Sequence, residues 1–178
     1  MKKFEKISSK VKFKNPWWEY WEDSYNLPNG NIGEYHYVNT HGSTFIIPIN
    51  SDGKIIMVEQ FRYLNSKLSL EFPGGGLPKG MDPKENALKE LKEETGFTCN
   101  KINQLGVFNP YNGVTNEICY VFVAEQLQIG EQNLEESEEL EIKLYSEQEI
   151  NKMIASNHIW DGMTMAAWSL FVNKKEHS

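Results

Sequence analysis

The chain has 178 residues, with 18 basic and 25 acidic side chains and a formal net charge of −7. This length predicts one domain with room for a small appendage, and the acidic balance argues against a general nucleic-acid binder, which normally carries a basic field. No apolar run reaches the length of a membrane span, and the basic start lacks the apolar core of a secretory signal. Cys99 and Cys119 have no zinc-type or disulfide-framework spacing, so we expect buried thiols in a reducing cytoplasm.

Residues 1–41 are predicted to form an N-terminal β subdomain. They are rich in tryptophan and tyrosine, and aromatic and β-branched residues favour strands at 17–25 and 32–40. The intervening Pro28-Asn29-Gly30 suits a tight turn. Because a two-stranded hairpin is marginally stable alone, we expect this antiparallel hairpin to pack on the rest of the chain or on a second copy.

Residues 42–178 are predicted to form the main domain. Strands are expected at 44–49, 54–60, 68–72, 102–109, 118–124 and 139–145. A helix is expected to begin after the N-cap Asp82 and to end at Gly96, with two more helices after Ser146 and at 162–173. This order favours an α+β fold, with a mixed β-sheet sandwiched between helices, over a doubly wound sheet.

The helix after Asp82 carries three glutamates that can share a face, Glu90, Glu93 and Glu94. Such a cluster of carboxylates suits a hard divalent cation, and Mg²⁺ commonly joins one or two carboxylates to substrate phosphates. The glycines at 74–76 allow backbone close to a ligand. The alternative is a solvated face on which neighbouring lysines pair with the glutamates.

The segment 74–97 resembles the Nudix hydrolase box. That motif has a Gly, then five residues, a Glu, seven residues, and the sequence Arg-Glu-aliphatic-x-Glu-Glu-x-Gly-aliphatic. The matching positions are Gly75, Met81, Lys89, Glu90, Leu91, Glu93, Glu94, Gly96 and Phe97. Two of them depart from the pattern, since Met81 stands in place of Glu and Lys89 in place of Arg. The family's Arg orients a box glutamate, and Lys lacks its planar fork, which allows a reduced rate.

Other segments resemble the branch of the Nudix family that contains the ADP-ribose and nucleoside-diphosphate-sugar pyrophosphatases. They are Asn15-Pro16-Trp17, Leu27–Gly30, Val58–Tyr63, Glu71–Gly75 and Asp161–Ala167. The resemblance implies a Nudix fold, a homodimer whose N-terminal strands cross to the partner, and hydrolysis of ADP-ribose or a related sugar nucleotide. The products would be a nucleoside monophosphate and a sugar phosphate.

Two alternatives to ADP-ribose hydrolysis stay open. Asn112 stands where ADP-ribose enzymes often have proline, which leaves GDP-mannose or another nucleotide sugar as the substrate. Together with Met81 and Lys89, Asn112 also motivates a Nudix-fold protein that binds nucleotide sugars with weak or no catalysis.

By resemblance, the carbonyl of Gly74 with Glu90 and Glu94 would bind Mg²⁺, with Mn²⁺ as the alternative ion. Glu93 would share metals or hold the network, so that Glu93 and Glu94 count as catalytic residues as well as metal ligands.

Glu117 is the predicted general base. Related enzymes place a carboxylate at this position to ligate metal or to deprotonate the attacking water, and Glu117 is the only acid between Glu94 and Glu125. The alternative for Glu117 is a surface acid at the edge of a turn. Three glutamates in the acidic stretch are alternative bases, although a solvated loop is the favoured interpretation of that stretch; they are Glu136, Glu138 and Glu139.

The predicted substrate site uses five further residues. Arg62, the sole arginine, resembles the family's phosphate-contacting Arg, and bidentate phosphate geometry suits a guanidinium, with a surface salt bridge as the alternative. Glu71 is assigned to the same site because it lies in Glu71–Gly75, one of the segments that resemble the pyrophosphatase branch. Trp17, Trp18 or Tyr20 would stack a purine, with plain interface core as the alternative for each.

Overall fold

The computed structural model describes residues 4–134 and 139–176. In chain order the strands are β1 (Glu5–Lys14), β2 (Glu19–Asn26), β3 (Ile32–Asn39), β4 (Ser43–Pro48), β5 (Ile55–Arg62), β6 (Lys67–Glu71), β7 (Gly74–Gly76), β8 (Phe97–Phe108), β9 (Cys119–Ile129) and β10 (Leu140–Tyr145). The α-helices are α1 (Pro83–Thr95), α2 (Glu147–Ala155) and α3 (Gly162–Glu176). The predicted α+β class is confirmed.

The N-terminal sheet has three antiparallel strands, in the order β1-β2-β3, so the predicted two-stranded hairpin is incomplete. The hairpin of β2 and β3 forms around the predicted turn, and β1 pairs with the outer edge of β2. The register of β1 against β2 shifts twice, between Lys6 and Ser8 and between Val11 and Phe13. These bulges break the alternation of apolar and polar residues that identifies a strand in a sequence.

Two further sheets form the rest of the fold. The larger one has the order β7-β4-β9-β8, and it is mixed because β4 and β9 run parallel while the other pairs are antiparallel. The smaller one has the order β10-β5-β6 and is antiparallel. The pairing of β4 with β7 brings the glycine segment 74–76 beside the start of β4.

Helix α1 begins and ends where the sequence predicts. The Asp82 side chain accepts hydrogen bonds from the backbone N–H groups of Lys84 at 2.9 Å and Glu85 at 3.2 Å, and Gly96 ends the helix with φ of 73°. Ala87 and Leu91 are fully buried against the larger sheet, in a cluster with Ile46, Phe122 and Ala124. This packing fixes the rotation of α1 about its axis and so positions its glutamates.

The main core lies on the opposite side of the larger sheet from α1. There α2 and α3 contribute Ile150, Ala167, Trp168 and Phe171 to one apolar cluster with residues from β4, β5, β6 and β9. Among the described residues, no helix has the length and apolar character needed to cross a membrane.

The N-terminal sheet contacts the main domain through β3. The backbone N–H of Val38 donates to the carbonyl of Val114 at 2.8 Å, and the Tyr35 hydroxyl donates to the carbonyl of Gly113 at 2.9 Å. Several large apolar side chains of this subdomain remain exposed in the single chain, namely Phe4, Ile7, Val11, Phe13, Trp17 and Ile32.

Candidate active site

A cavity of about 560 Å³ opens where the glycine strand β7, the start of β4, the end of α1 and the loop before α3 meet. Its lining combines oxygen-rich, cationic and aromatic groups. The residues are Trp17, Thr40, Gly42, Ser43, Phe45, Gln60, Arg62, Asn65, Glu71, Gly74, Gly75, Gly76, Glu94, Glu117, Trp160, Asp161 and Met163. A volume of this size is within the range of small-molecule sites.

Glu94 lies on the last turn of α1 and is 5% exposed. Its Oε2 accepts a hydrogen bond of 3.0 Å from the backbone N–H of Gly74. A Cβ atom at Gly74 would collide with the backbone carbonyl of Thr44, so the approach of β7 to β4 requires glycine. The helix carboxylate is thereby held against the glycine strand at the cavity wall.

Glu90 lies one turn before Glu94 on α1, and Glu93 immediately precedes Glu94. The Glu90 carboxylate lies against Gly75, where an added Cβ would be 2.9 Å from the carboxylate carbon. Glu93 forms an ion pair of 2.5 Å with Lys89, whose Nζ is also 3.7 Å from Glu90 Oε1. Lys89 therefore bridges two box glutamates with a single ammonium group.

The donors beside the glycine strand fit a hard divalent cation, and of the box glutamates Glu94 lines the cavity whereas Glu90 and Glu93 do not. Two helix carboxylates, Glu90 and Glu94, meet a backbone segment that can offer carbonyl oxygen, and Mg²⁺ and Mn²⁺ prefer such oxygen ligands. The close approach of Gly75 to Glu90 indicates a backbone built to leave room for these carboxylates. The metal role of Gly74, Glu90, Glu93 and Glu94 stays a prediction.

A separate group of potential ligand atoms lies on the N-terminal sheet. Carboxylate oxygens of Glu22 and Glu34 and a ring nitrogen of His36 come within 4.8 Å of one another. Lys12 already pairs with Glu22 at 2.7 Å. This group is away from the cavity and was not predicted from the sequence.

Glu117 lines the cavity from the loop that precedes β9. Its Oε1 accepts a hydrogen bond of 2.6 Å from the hydroxyl of Ser43, and its backbone N–H donates to Thr115 Oγ1 at 3.0 Å. Of the alternative bases, Glu139 is exposed just before β10, and Glu136 and Glu138 lie outside the described residues.

Arg62 and Glu71 form a two-point ion pair at the cavity. The Arg62 Nε donates to Glu71 Oε1 at 2.7 Å, and a second guanidinium nitrogen donates to Oε2. The Glu71 side chain is 4% exposed, whereas that of Arg62 is 46% exposed. Hydrogen bonding to Glu71 raises the pKa of Arg62, so the guanidinium stays charged. Glu71 thus fixes the orientation of Arg62, and both side chains line the cavity.

The three predicted stacking residues are in different places. Trp17 lines the cavity and is 79% exposed. Trp18 contacts the Phe13 ring with 5.7 Å between centroids, and Tyr20 stacks on His36 at 5.8 Å. Trp18 and Tyr20 therefore do not line this cavity in the single chain.

Trp160 is a cavity residue that the sequence analysis missed. Its indole N–H donates to the Leu68 carbonyl at 2.9 Å, and the Lys67 ammonium lies 3.8 Å from the ring centroid. These contacts join positions far apart in the chain, so no local pattern could indicate them. Other polar lining residues were not predicted as site residues either, although two of them lie within the family-like segments Val58–Tyr63 and Asp161–Ala167. They are Thr40, Ser43, Gln60, Asn65 and Asp161.

The comparisons with known proteins agree with this fold. A family model described as NUDIX domain matches residues 39–166. The chain is 36% identical over 143 residues to an ADP-ribose pyrophosphatase from Bacillus subtilis (strain 168), covering 79% of this chain and 77% of the relative. It is 35% identical over 147 residues to a methanol dehydrogenase activator from Bacillus methanolicus, covering 82% and 80% of the two chains.

A solved structure titled as that of an ADP compounds hydrolase superposes with a TM-score of 0.87 at 18% identity, and the match covers 99% of this chain and 96% of that one. At this identity the superposition supports the fold alone. The family model and the two sequence relatives show the family as well, because each match covers most of the chain. The chain therefore belongs to the Nudix family of hydrolases.

Proposed function

We propose that this Nudix hydrolase cleaves the pyrophosphate bond of ADP-ribose or a related nucleoside diphosphate sugar, with Mg²⁺ or Mn²⁺ as cofactor. The observation that carries the proposal is the meeting of Glu90 and Glu94 with the glycine strand, at a cavity that also holds Arg62 and Glu117. The substrate class follows the name of the Bacillus subtilis relative, an ADP-ribose pyrophosphatase.

In the proposed reaction, Gly74, Glu90 and Glu94 hold the metal, and Glu93 supports them through its ion pair with Lys89. A bound divalent ion supplies positive charge to the phosphate oxygens. Glu117 accepts a proton from the attacking water, whose oxygen forms a bond to one phosphorus as the bridging P–O bond breaks. The proton stays on the carboxylate until solvent removes it, and the two monophosphates leave.

Arg62 binds a phosphate of the substrate. Its guanidinium offers several N–H donors in a fixed plane, and Glu71 accepts from Nε and one terminal nitrogen at one edge of the group. The chain as a whole carries a net charge of −7, so an anionic substrate gains little from the general field of the protein. Local cations, namely Arg62 and the metal, must therefore provide the attraction.

Trp17 and Trp160 provide aromatic surface for the base or sugar. Both line the cavity, and the Lys67 ammonium and Leu68 carbonyl hold the Trp160 ring in place. Aromatic faces stack on any base, so they do not choose between ADP-ribose and GDP-mannose. Trp18 and Tyr20 would reach substrate only across a subunit boundary.

A pair of variants on α1 tests the metal assignment. Glu94→Gln keeps an oxygen that can accept the Gly74 hydrogen bond but removes the charge, so we expect a folded protein with a loss of about 100-fold or more in kcat. Glu85→Gln is the control, since Glu85 is an exposed glutamate on the first turn of the same helix. The measurement is release of AMP from ADP-ribose in Mg²⁺. If Glu94→Gln turns over like Glu85→Gln, the metal assignment is wrong.

We also infer that the chain acts as a homodimer through the N-terminal sheet. In the single chain this sheet leaves Ile7, Val11 and Phe13 of β1 exposed, and also Ile32 of β3. Large apolar side chains exposed on one small sheet are typical of an interaction surface. Sedimentation velocity at micromolar concentration should give the mass of two chains. Replacing Val11 and Phe13 with serine should shift the protein toward monomer. A wild-type protein that sediments only as a monomer would contradict this inference.

A further inference from the structure

Ser43 is the first residue of β4 and is 7% exposed. Its hydroxyl donates a hydrogen bond of 2.6 Å to Oε1 of Glu117, and both side chains line the cavity. Hydrogen bonds from a hydroxyl to a charged carboxylate are shorter and stronger than those between neutral groups. The two residues are 74 positions apart, so the contact depends on the tertiary fold.

The backbone fixes Ser43 from both sides. Ser43 is the register partner of Gly76 on β7 and of Cys119 on β9, and its N–H donates to the Ile118 carbonyl at 3.0 Å. Ser43 therefore lies between the glycine strand and the strand that follows Glu117. By contrast, Glu117 belongs to a loop in which Asn112, Gly113 and Val114 are exposed. The loop backbone is hydrogen-bonded to Tyr35 and Val38 of β3, whereas the Glu117 carboxylate itself is held by the Ser43 hydroxyl.

The Ser43 hydroxyl has a second neighbour in the thiol of Cys119, and a hydrogen bond between them acts to lower the pKa of that thiol. Cys119 is fully buried, and burial raises the pKa of its thiol to about 12. The thiol is therefore neutral at ordinary pH and a weak acceptor, whereas the Glu117 carboxylate is a strong one. The Ser43 proton accordingly points to Glu117.

We propose that Ser43 is a positioning residue that holds the Glu117 carboxylate toward the cavity in the geometry needed to accept the proton of the attacking water. This inference rests on the proposed function of Glu117. Small displacements of a reacting group reduce rates strongly, and one hydrogen bond between β4 and the Glu117 loop limits that displacement. Ser43 lies outside the Nudix box, so this role adds a residue to the site.

The test is a mutant cycle with steady-state kinetics on ADP-ribose in Mg²⁺. Ser43→Ala should lower kcat about tenfold and leave KM within about twofold, because it disturbs the proton acceptor rather than substrate binding. In a Glu117→Ala background the same substitution should cause no further loss. A kcat for Ser43→Ala close to that of the wild type, a change in KM alone, or an equal loss in both backgrounds would overturn the proposal.

Ser69→Ala is the matched control. Ser69 is a strand serine that is 1% exposed, and its hydroxyl makes no hydrogen bond within the described residues. This variant removes the same atom from a buried strand and should keep wild-type kcat. If Ser69→Ala loses as much activity as Ser43→Ala, the loss comes from a general disturbance of the strands and the proposal fails.

Failure of the proposed hydrolase function can be distinguished from failure of the Ser43 proposal. A wild-type protein that hydrolyses no nucleotide sugar overturns the hydrolase proposal, and urea unfolding then decides whether the Ser43–Glu117 pair exists. Ser43→Ala and Glu117→Ala should together lower the urea midpoint by less than the sum of their separate shifts. Additive shifts would overturn the pairing itself.

Discussion

Gly75 lies so close to the Glu90 carboxylate that an added Cβ would be 2.9 Å from both Cδ and Oε1. Its neighbour Gly76 lies on the same strand and lines the same cavity, but an added Cβ there would meet nothing within 4 Å. Alanine substitutions at Gly75 and Gly76 can therefore be compared to separate the effect of losing a glycine from the effect of displacing Glu90.

Gly75→Ala should lower kcat by roughly 100-fold, because Glu90 must move away from the proposed metal position. Gly76→Ala should retain most of the activity. Circular dichroism and the urea midpoint of both variants would confirm that each remains folded. Equal activity of the two variants would show that the position of Glu90 against β7 does not matter for turnover.

The residues of this site differ in how far the sequence could predict them. Glu90, Glu93 and Glu94 follow from the spacing and the Nudix resemblance, because they lie within two turns of one helix. Ser43 and Trp160 could not be predicted, since their partners Glu117 and Leu68 are 74 and 92 positions away. Contacts of that range depend on which strands become neighbours, and local patterns do not contain that information.

At the scale of elements, local chemistry predicts α1 well and β1 poorly. Asp82, Pro83 and Gly96 each have a defined role at a helix end, and the structure places all three in those roles. Strand β1 was missed because its two register shifts interrupt the period of two. Strand β7 was missed because three glycines have no strand preference of their own, and pairing with β4 makes them a strand.

Helix α2 provides a pH-dependent element. The Glu149 carboxylate accepts hydrogen bonds from the hydroxyl and the backbone N–H of Ser146 and pairs with Lys54 at 3.2 Å. These contacts lower the pKa of Glu149 from 4.5 to about 2, with the Ser146 hydroxyl as the largest cause. A lowered folded-state pKa contributes stability above the unfolded pKa, and this contribution is lost as the pH falls from about 4.5 toward 2.

Glu149→Gln should therefore lower the urea midpoint at pH 7 and at pH 5, and the difference from wild type should shrink at pH 3. Urea unfolding followed by tryptophan fluorescence measures both proteins at the three pH values. Ser146→Ala removes the largest cause of the shift and should weaken the same pH dependence. A difference between wild type and Glu149→Gln that stays constant with pH would contradict this account of α2.

At the scale of the whole molecule, the mixed sheet brings four parts of the chain to one cavity. Strand β4 lies between β7 and β9, so the glycine strand, α1 and the Glu117 loop meet around its first residues. The fold class and the Nudix family were predictable, because the box and the flanking motifs extend over most of the chain. The third N-terminal strand was not, since its register shifts interrupt the period of two. The aromatic wall formed by Trp160 was not either, since its partner Leu68 is 92 positions away.

We propose that the carboxylates of α1 and the cavity beside them hydrolyse a nucleoside diphosphate sugar with a divalent metal. The most direct test is monophosphate release from ADP-ribose, GDP-mannose, UDP-glucose, NADH, diadenosine polyphosphates and nucleoside triphosphates, in Mg²⁺, in Mn²⁺ and in EDTA. We predict cleavage of ADP-ribose or another nucleotide sugar that needs the metal and stops in EDTA. No cleavage of any nucleotide sugar, together with calorimetric binding of ADP-ribose, would contradict the claim and favour a binding protein.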